Sequence, residues 1–363
     1  MDNNIKGKKA VRERRPVKIW KVFLALILAA VICLAGAFLT LAVTEYRPQE
    51  VEVLTPSNGT EKIQTGTVYT VVSCNTGYAA LGKDADFFMD GGKTTMPESS
   101  AVVEAYMAGI AAELAPLKAD IYMLQEVDTG SKRSFGTDQA AYYEKELGMP
   151  YAYALNYKAA FVPYPLNSMI GKVSSGLATY TGFEVSGAER IQLPIPFSWP
   201  VRCFNLKRCL LVERMPVEGT DAELVVINLH LEAYDSGEGK IAQTKQLYKL
   251  LEDEYAKGNY VLAGGDFNQT FPGVKLFPAV FEGCWMPGVL EDELPQGFAF
   301  ANGGDVPTCR LLDRPLTGNE NPMYYIIDGF IVSDNISVDS ASVVETGFEN
   351  TDHQPVRLEI TLK

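Results

Sequence analysis

Tyr260-Val261-Leu262-Ala263-Gly264-Gly265-Asp266-Phe267-Asn268 is the stretch on which the fold assignment turns. Its first four residues form an apolar, partly β-branched run of the kind that makes a buried strand. Two glycines then let the backbone turn tightly, and Asp266 and Asn268, two residues apart, project to the same side. Gly, Asp and Asn also build ordinary surface turns. The apolar run directly before them favours a polar pair mounted at a strand end.

The same order recurs outward along the chain. Residues 67–73, 121–124, 224–228 and 324–327 are short apolar runs, and Val356–Leu362 closes the sequence as another. Each internal run leads into polar residues: Asn75, then Gln125-Glu126, then Asn228 and His230, then Asp328. Residues 99–118 and 240–257 carry apolar positions at helical spacing. Strands alternating with helices predict an α/β architecture, and polar groups gathered at strand ends predict one shared site.

Residues 22–44 contain no charge and are rich in Leu, Ala, Val and Ile, which is long enough to span a bilayer and too long for the apolar part of a cleaved signal. Ile32 before Cys33 is bulky where lipoprotein attachment needs a small residue. Residues 1–21 carry eight Lys or Arg against Asp2 and Glu13, whereas Arg47 alone follows the run closely. This asymmetry predicts a cytoplasmic N-terminus and a catalytic domain that is extracellular or lumenal. The expected organisation is a basic tail over 1–21, a signal anchor over 22–44, an exposed linker over 45–65 and one domain over 66–363.

Overall the 363 residues carry a net charge of −13, and the tail contributes +6 of it, so everything after Lys21 is strongly acidic. A negative field argues against a sequence-independent nucleic-acid binder. The cysteines form no C-x-x-C pair, so no zinc site is implied. Cys203 and Cys209 are read as buried thiols, although a bridge across a hairpin is compatible with the outward topology.

The chain has two histidines, His230 and His353. Activating water near neutral pH needs a group that titrates there and a carboxylate that fixes its tautomer, and Asp328 and Asp352 are the candidates. Glu126, Asp266 and Asp352 are hard oxygen donors, which suit Mg²⁺ or Mn²⁺ better than zinc.

The ordered set Asn75, Gln125-Glu126, Asn228-Leu229-His230, Gly265-Asp266-Phe267-Asn268, Asp328 and Asp352-His353 resembles the endonuclease/exonuclease/phosphatase superfamily, which includes deoxyribonucleases and sphingomyelinases. The resemblance covers about residues 66–363. It implies a four-layer α/β sandwich, two packed mixed β-sheets flanked by helices, here in a membrane-anchored, bacterial-type form. Carried over by position, it makes Glu126 the principal metal ligand, with Asn75 and Asp352 near the cation. His353 becomes the general base or a phosphate contact, oriented by Asp328. Asp266 and Asn268 position the attacking water and the phosphoryl oxygen, and His230 stands at the scissile phosphate.

The implied activity is Mg²⁺-dependent hydrolysis of a phosphoester by in-line attack of water. Val173–Tyr180 resembles the family's Ser-Gly-Leu-Ala strand, but Thr181-Gly182 stand where Ser-Arg is common, which leaves Lys172 or Arg202 to supply a cation. Aromatic residues over 151–165 and 195–200 are read as loops able to stack bases or touch lipid headgroups. Tethering and acidity favour a phospholipid or small phosphodiester over nucleic acid as substrate. An extracellular nuclease of the same fold, or a noncatalytic surface binding protein that keeps it, is the alternative; the full set of carboxylates and histidines favours an enzyme.

Overall fold

The computed structural model describes residues 18–363 apart from 58, 236 and 292, so the basic tail up to residue 17 and Asn58 of the expected linker lie outside the described residues. The chain forms two compact units, Met1–Glu45 and Tyr46–Lys363. In the first, α1 (Ile19–Thr44) is apolar on all sides and buries none of its residues. At about 1.5 Å per residue its 26 residues exceed the roughly 30 Å apolar thickness of a bilayer. It is therefore long and apolar enough to cross a membrane.

The second unit begins with β1 (Val51–Leu54), β2 (Val68–Asn75), α2 (Ser100–Leu114), β3 (Ile121–Asp128), α3 (Gln139–Leu147), β4 (Tyr151–Val162), β5 (Gly171–Thr181) and β6 (Gly187–Gln192). It continues with β7 (Cys209–Pro216), β8 (Glu223–His230), α4 (Glu238–Tyr255), β9 (Tyr260–Asp266) and β10 (Phe298–Ala301). The last elements are β11 (Cys309–Arg310), β12 (Tyr324–Tyr325), β13 (Asp328–Ser333), β14 (Ile336–Val343) and β15 (Val356–Leu362).

These strands make a six-stranded sheet in the order β14-β15-β2-β3-β5-β4 and a seven-stranded sheet in the order β1-β6-β7-β8-β9-β13-β10. Each is mixed, with one parallel pair at its heart, β2/β3 in the first and β8/β9 in the second. Alternation along the strands explains the layers. Val71, Met123 and Leu358 of one sheet meet Val226, Leu262 and Phe330 of the other in the central core. Val72, Tyr122 and Leu124, one residue out of phase, face α2 and α3 through Val103, Ile110 and Tyr143. On the opposite side Val225, Ile227 and Val261 pack against Leu247 and Leu251 of α4. The result is the expected helix–sheet–sheet–helix sandwich.

Three expectations are corrected. The segment read as an exposed linker joins the sandwich: β1 pairs with β6 along the sheet edge and Ile63 is buried in the central core. Pro48 and Pro56 flank a strand of only four residues, which hides it in the sequence. The aromatic stretch over 151–165 is mostly strand rather than loop, since β4 covers all but its last three residues. The strand expected over 324–327 is reduced to the two residues of β12, and Asp328 begins β13 instead of following a strand.

Candidate active site

Register brings the polar residues together. β2 and β3 run parallel with Asn75 opposite Gln125, and β8 and β9 run parallel with His230 opposite Asp266. β13 is antiparallel to β9, so its first residue, Asp328, lies opposite the last residue of β9, Asp266. An antiparallel strand enters at the edge where its neighbour leaves. The end of one strand and the beginning of another therefore serve the same site.

Local backbone aims the side chains. Glu126 sits where the β3–β5 register slips, and it adopts a positive φ of 57° that non-glycine residues rarely take. The glycines before Asp266 act within β9 rather than in a turn after it, contrary to expectation. A Cβ on Gly265 would lie 2.0 Å from the Leu229 carbonyl oxygen, and one on Gly264 would lie 2.3 Å from the Phe330 ring. Only glycine allows those neighbours so close. Asn268 also has a positive φ, 50°, its backbone N–H donates to Asp266 Oδ1 at 2.8 Å, and its amide donates to the Leu231 carbonyl at 2.9 Å.

Asn75 links the carboxylates. Its Nδ2 lies 3.0 Å from Asp266 Oδ2, 3.4 Å from Glu126 Oε1 and 3.5 Å from His353 Nε2, while its Oδ1 accepts from the Gly77 N–H at 3.0 Å. Its amide nitrogen thus faces the two carboxylates and the imidazole together. His353 Nδ1 is 2.9 Å from Asp328 Oδ2, and its Nε2 faces Asp266 at 3.7 Å and Asp352 at 4.0 Å. The Thr308 hydroxyl accepts from the Asp328 N–H at 3.1 Å and fixes that carboxylate's backbone. His230 Nε2 lies 3.4 Å from Asp266 Oδ2 and its Nδ1 lies 4.0 Å from Glu126 Oε1. The eight residues given catalytic or metal-binding roles in the sequence thus share one edge of the sandwich, and all eight but Asn75 and Asp328 also line one cavity there.

The two histidines differ electrically. Burial opposes a proton on His353, but Asp328, then the Cys309 thiol and Asp352, outweigh it and hold its pKa well above the usual value. His230 is pushed well below that value by burial, with Arg208 and His353 adding repulsion, and its Nδ1 has no hydrogen-bond partner among the described residues. Burial followed by repulsion from Asp328 lifts Asp266 to about 7. Burial lifts Asp352 to about 6, against the attraction of His353 and with repulsion from Glu126. Buried carboxylates crowded this way mark a place where positive charge is wanted.

Other residues were not anticipated. The cations on the cavity wall are Arg133, Arg208 and Arg310, not Lys172 or Arg202. Cys309 bridges to His353 through the backbone and brings its sulfur near Asp352 and His353. These are isolated residues in loops or short strands, and nothing around them in the sequence marks them. Gln125 and Asn228 turn inward instead of lining the site. Gln125 Nε2 donates to Asn228 Oδ1 at 2.8 Å, and Asn228 Nδ2 donates to the Leu124 and Ala178 carbonyls, which ties the sheets together. Cys203 and Cys209 are both buried, as expected.

Neither a protein-family model nor a curated protein matches this sequence. Solved structures do match in fold. An endonuclease/exonuclease/phosphatase of Beutenbergia cavernae is 17% identical over 81% of this chain and 72% of its own, with a TM-score of 0.53. TDP2 of Caenorhabditis elegans is 17% identical over 83% and 77%, with a TM-score of 0.51. ANGEL2, a 2′,3′-cyclic phosphatase solved with adenosine-2′,3′-vanadate, is 14% identical over 87% and 99%, with a TM-score of 0.53. With its two mixed sheets, flanking helices and polar edge, the chain has the fold of the endonuclease/exonuclease/phosphatase proteins.

Proposed function

We propose that this protein is a membrane-anchored, divalent-metal-dependent phosphoester hydrolase, a phosphodiesterase acting outside the cytoplasm by in-line attack of water. The observation that carries this reading is the convergence of Glu126, Asp266 and His353 on the Asn75 amide, with Asp328 behind the imidazole. The fold is shared with a 2′,3′-cyclic phosphatase, which supports phosphoester chemistry.

The donor set fits a hard cation. Glu126 and Asp352 offer carboxylate oxygens in a mostly buried, negatively charged edge, and Asp328 Oδ1 is buried without a partner among the described residues. Glu126, with Asp352 beside it, would hold Mg²⁺ or Mn²⁺. Bound there, such an ion would supply positive charge to neutralise the phosphoryl group and stabilise the leaving oxygen.

The chain's own groups do the rest. Asp328 holds His353 through Nδ1, which leaves Nε2 to exchange a proton with the attacking water or the phosphoryl oxygen. Asp266 orients the water. Asn75 keeps Asp266 and Glu126 from separating, Asn268 braces Asp266 through its backbone, and His230, neutral by burial, donates to the scissile group.

The test is turnover of bis-p-nitrophenyl phosphate, plasmid DNA and sphingomyelin by the full-length protein, with Mg²⁺, with EDTA and with metal restored. Turnover that EDTA abolishes and Mg²⁺ or Mn²⁺ restores is the expected result. Absence of metal-dependent turnover on all three substrates would overturn the reading in favour of a binding protein. Protease accessibility of the second unit on intact cells tests its placement outside.

A further inference from the structure

The cavity that holds the site extends well beyond it. Its volume is about 510 Å³, in the range that encloses most of a drug-sized molecule. Away from Glu126, Asp266 and His353 its wall is chiefly apolar, formed by Phe87, Phe88 and Met89 between β2 and α2, Tyr157 of β4, and Phe204 and Leu206 before β7.

The polar tips of three aromatic residues on that wall are already committed. The Tyr157 hydroxyl donates to the Phe204 carbonyl at 2.6 Å, the Tyr325 hydroxyl to the Trp285 carbonyl at 2.9 Å and the Trp285 indole to the Ala233 carbonyl at 2.9 Å. These rings offer faces to a ligand while their hydrogen-bonding tips are engaged elsewhere. The cations are engaged too. Arg133 donates twice to Asp128, Arg208 donates to Glu232 and the His230 carbonyl, and Arg310 donates to the Gly82 carbonyl. A polynucleotide needs a row of cations along successive phosphates, and an acidic chain with these arginines engaged is poorly suited to supply one. At the rim, Met89, Tyr164 and Val201 expose apolar surface.

We infer that the substrate is an amphiphilic phosphodiester, a phosphate bearing a lipid-type alkyl chain, whose apolar body enters this cavity beside the scissile phosphorus. The inference rests on the hydrolase reading above. It differs from hydrolysis of a headgroup at a bilayer surface, because here the chain itself is taken into the protein. The same polypeptide carries α1, long and apolar enough to cross the membrane in which such molecules reside.

The experiment is a chain-length series, p-nitrophenyl alkyl phosphodiesters from methyl to dodecyl below their micellar concentrations. The full-length protein is studied in nanodiscs with Mg²⁺, and empty nanodiscs correct for partitioning. Each enclosed methylene is expected to raise kcat/KM by up to about fourfold until the cavity is full. A flat series, or faster turnover of thymidine 5′-p-nitrophenyl phosphate than of the dodecyl ester, would overturn the inference. Met89→Glu at the rim and Ile170→Trp, at a position that also lines this cavity, should each reduce the dodecyl-to-methyl ratio at least about tenfold. An unchanged ratio in both also overturns it.

Titration calorimetry with methyl and dodecyl phosphate separates the two readings. Chain-length-dependent binding without turnover sinks the hydrolase reading and keeps the cavity assignment. Neither binding nor turnover sinks both.

Discussion

Two buried polar clusters lie within a few residues of each other, and they behave in opposite ways. Gln125 and Asn228 meet between the sheets as neutral amides, and Asn228 Nδ2 has two backbone carbonyls to donate to. Glu126 and His230, one and two residues further on, belong to the edge where carboxylates and imidazoles crowd, pKa values are displaced and buried atoms lack partners. The neutral amides carry no charge and tie the sheets together through Gln125 Nε2 and Asn228 Nδ2, although one buried oxygen, Gln125 Oε1, has no hydrogen-bond partner among the described residues. Charged groups at the edge are left in need of something the fold does not provide, which is the condition for binding a cation and a phosphate.

Substitutions can break that contrast. His353→Ala is expected to lower kcat by about a thousandfold, the scale of a positioned proton-transfer group, with no loss of folding by circular dichroism. If activity stays near wild type, the edge is not the reacting site.

Asp328→Asn tests how the edge is tuned. It should cost about a hundredfold in kcat by releasing the imidazole's tautomer. It should also shift the pH profile, with a sign that follows from the electrostatics. Asp328 is the leading influence that raises the His353 pKa, so removing its charge lets burial pull the pKa down. The limb of the pH–rate curve that reports His353 then moves to lower pH. A shift to higher pH would contradict the Asp328–His353 pairing.

Asn228→Ala has the smallest expected effect and the opposite character. It should cost about 2 kcal/mol of stability in denaturant melts, because Gln125 and two carbonyls lose a buried partner. Activity per folded molecule should change less than about threefold. A large activity loss in a stable protein would erase the distinction between the two clusters.

Much of the edge was legible because strand ends announce themselves. Asp266 and Asn268 follow an apolar run, and Glu126 follows another, so a short continuous apolar run that breaks into acids and amides marked each position. Asp328 was found for a reason the structure revises, since it starts β13 instead of ending a strand. β1 escaped notice because it has only four half-exposed or exposed residues at the sheet edge. The alternation of Tyr151 and Tyr153 was a strand signal passed over in favour of an aromatic loop. Arg208 and Arg310 had no signal, because they act through partners distant in sequence or through backbone atoms, and Arg133 pairs with Asp128 only five residues away in a segment that no motif marked.

The sequence by itself determined most of the central strands and helices, the apolar N-terminal helix and the types of side chain offered for chemistry, since these follow from local periodicity and composition. Only the tertiary structure decided which amides became braces between the sheets and which groups were gathered at the charged edge. It also decided that aromatic rings far apart in the chain would enclose one apolar cavity beside that edge. Those outcomes depend on register across strands and on burial by the opposite sheet, and neither quantity is contained in any short stretch of residues.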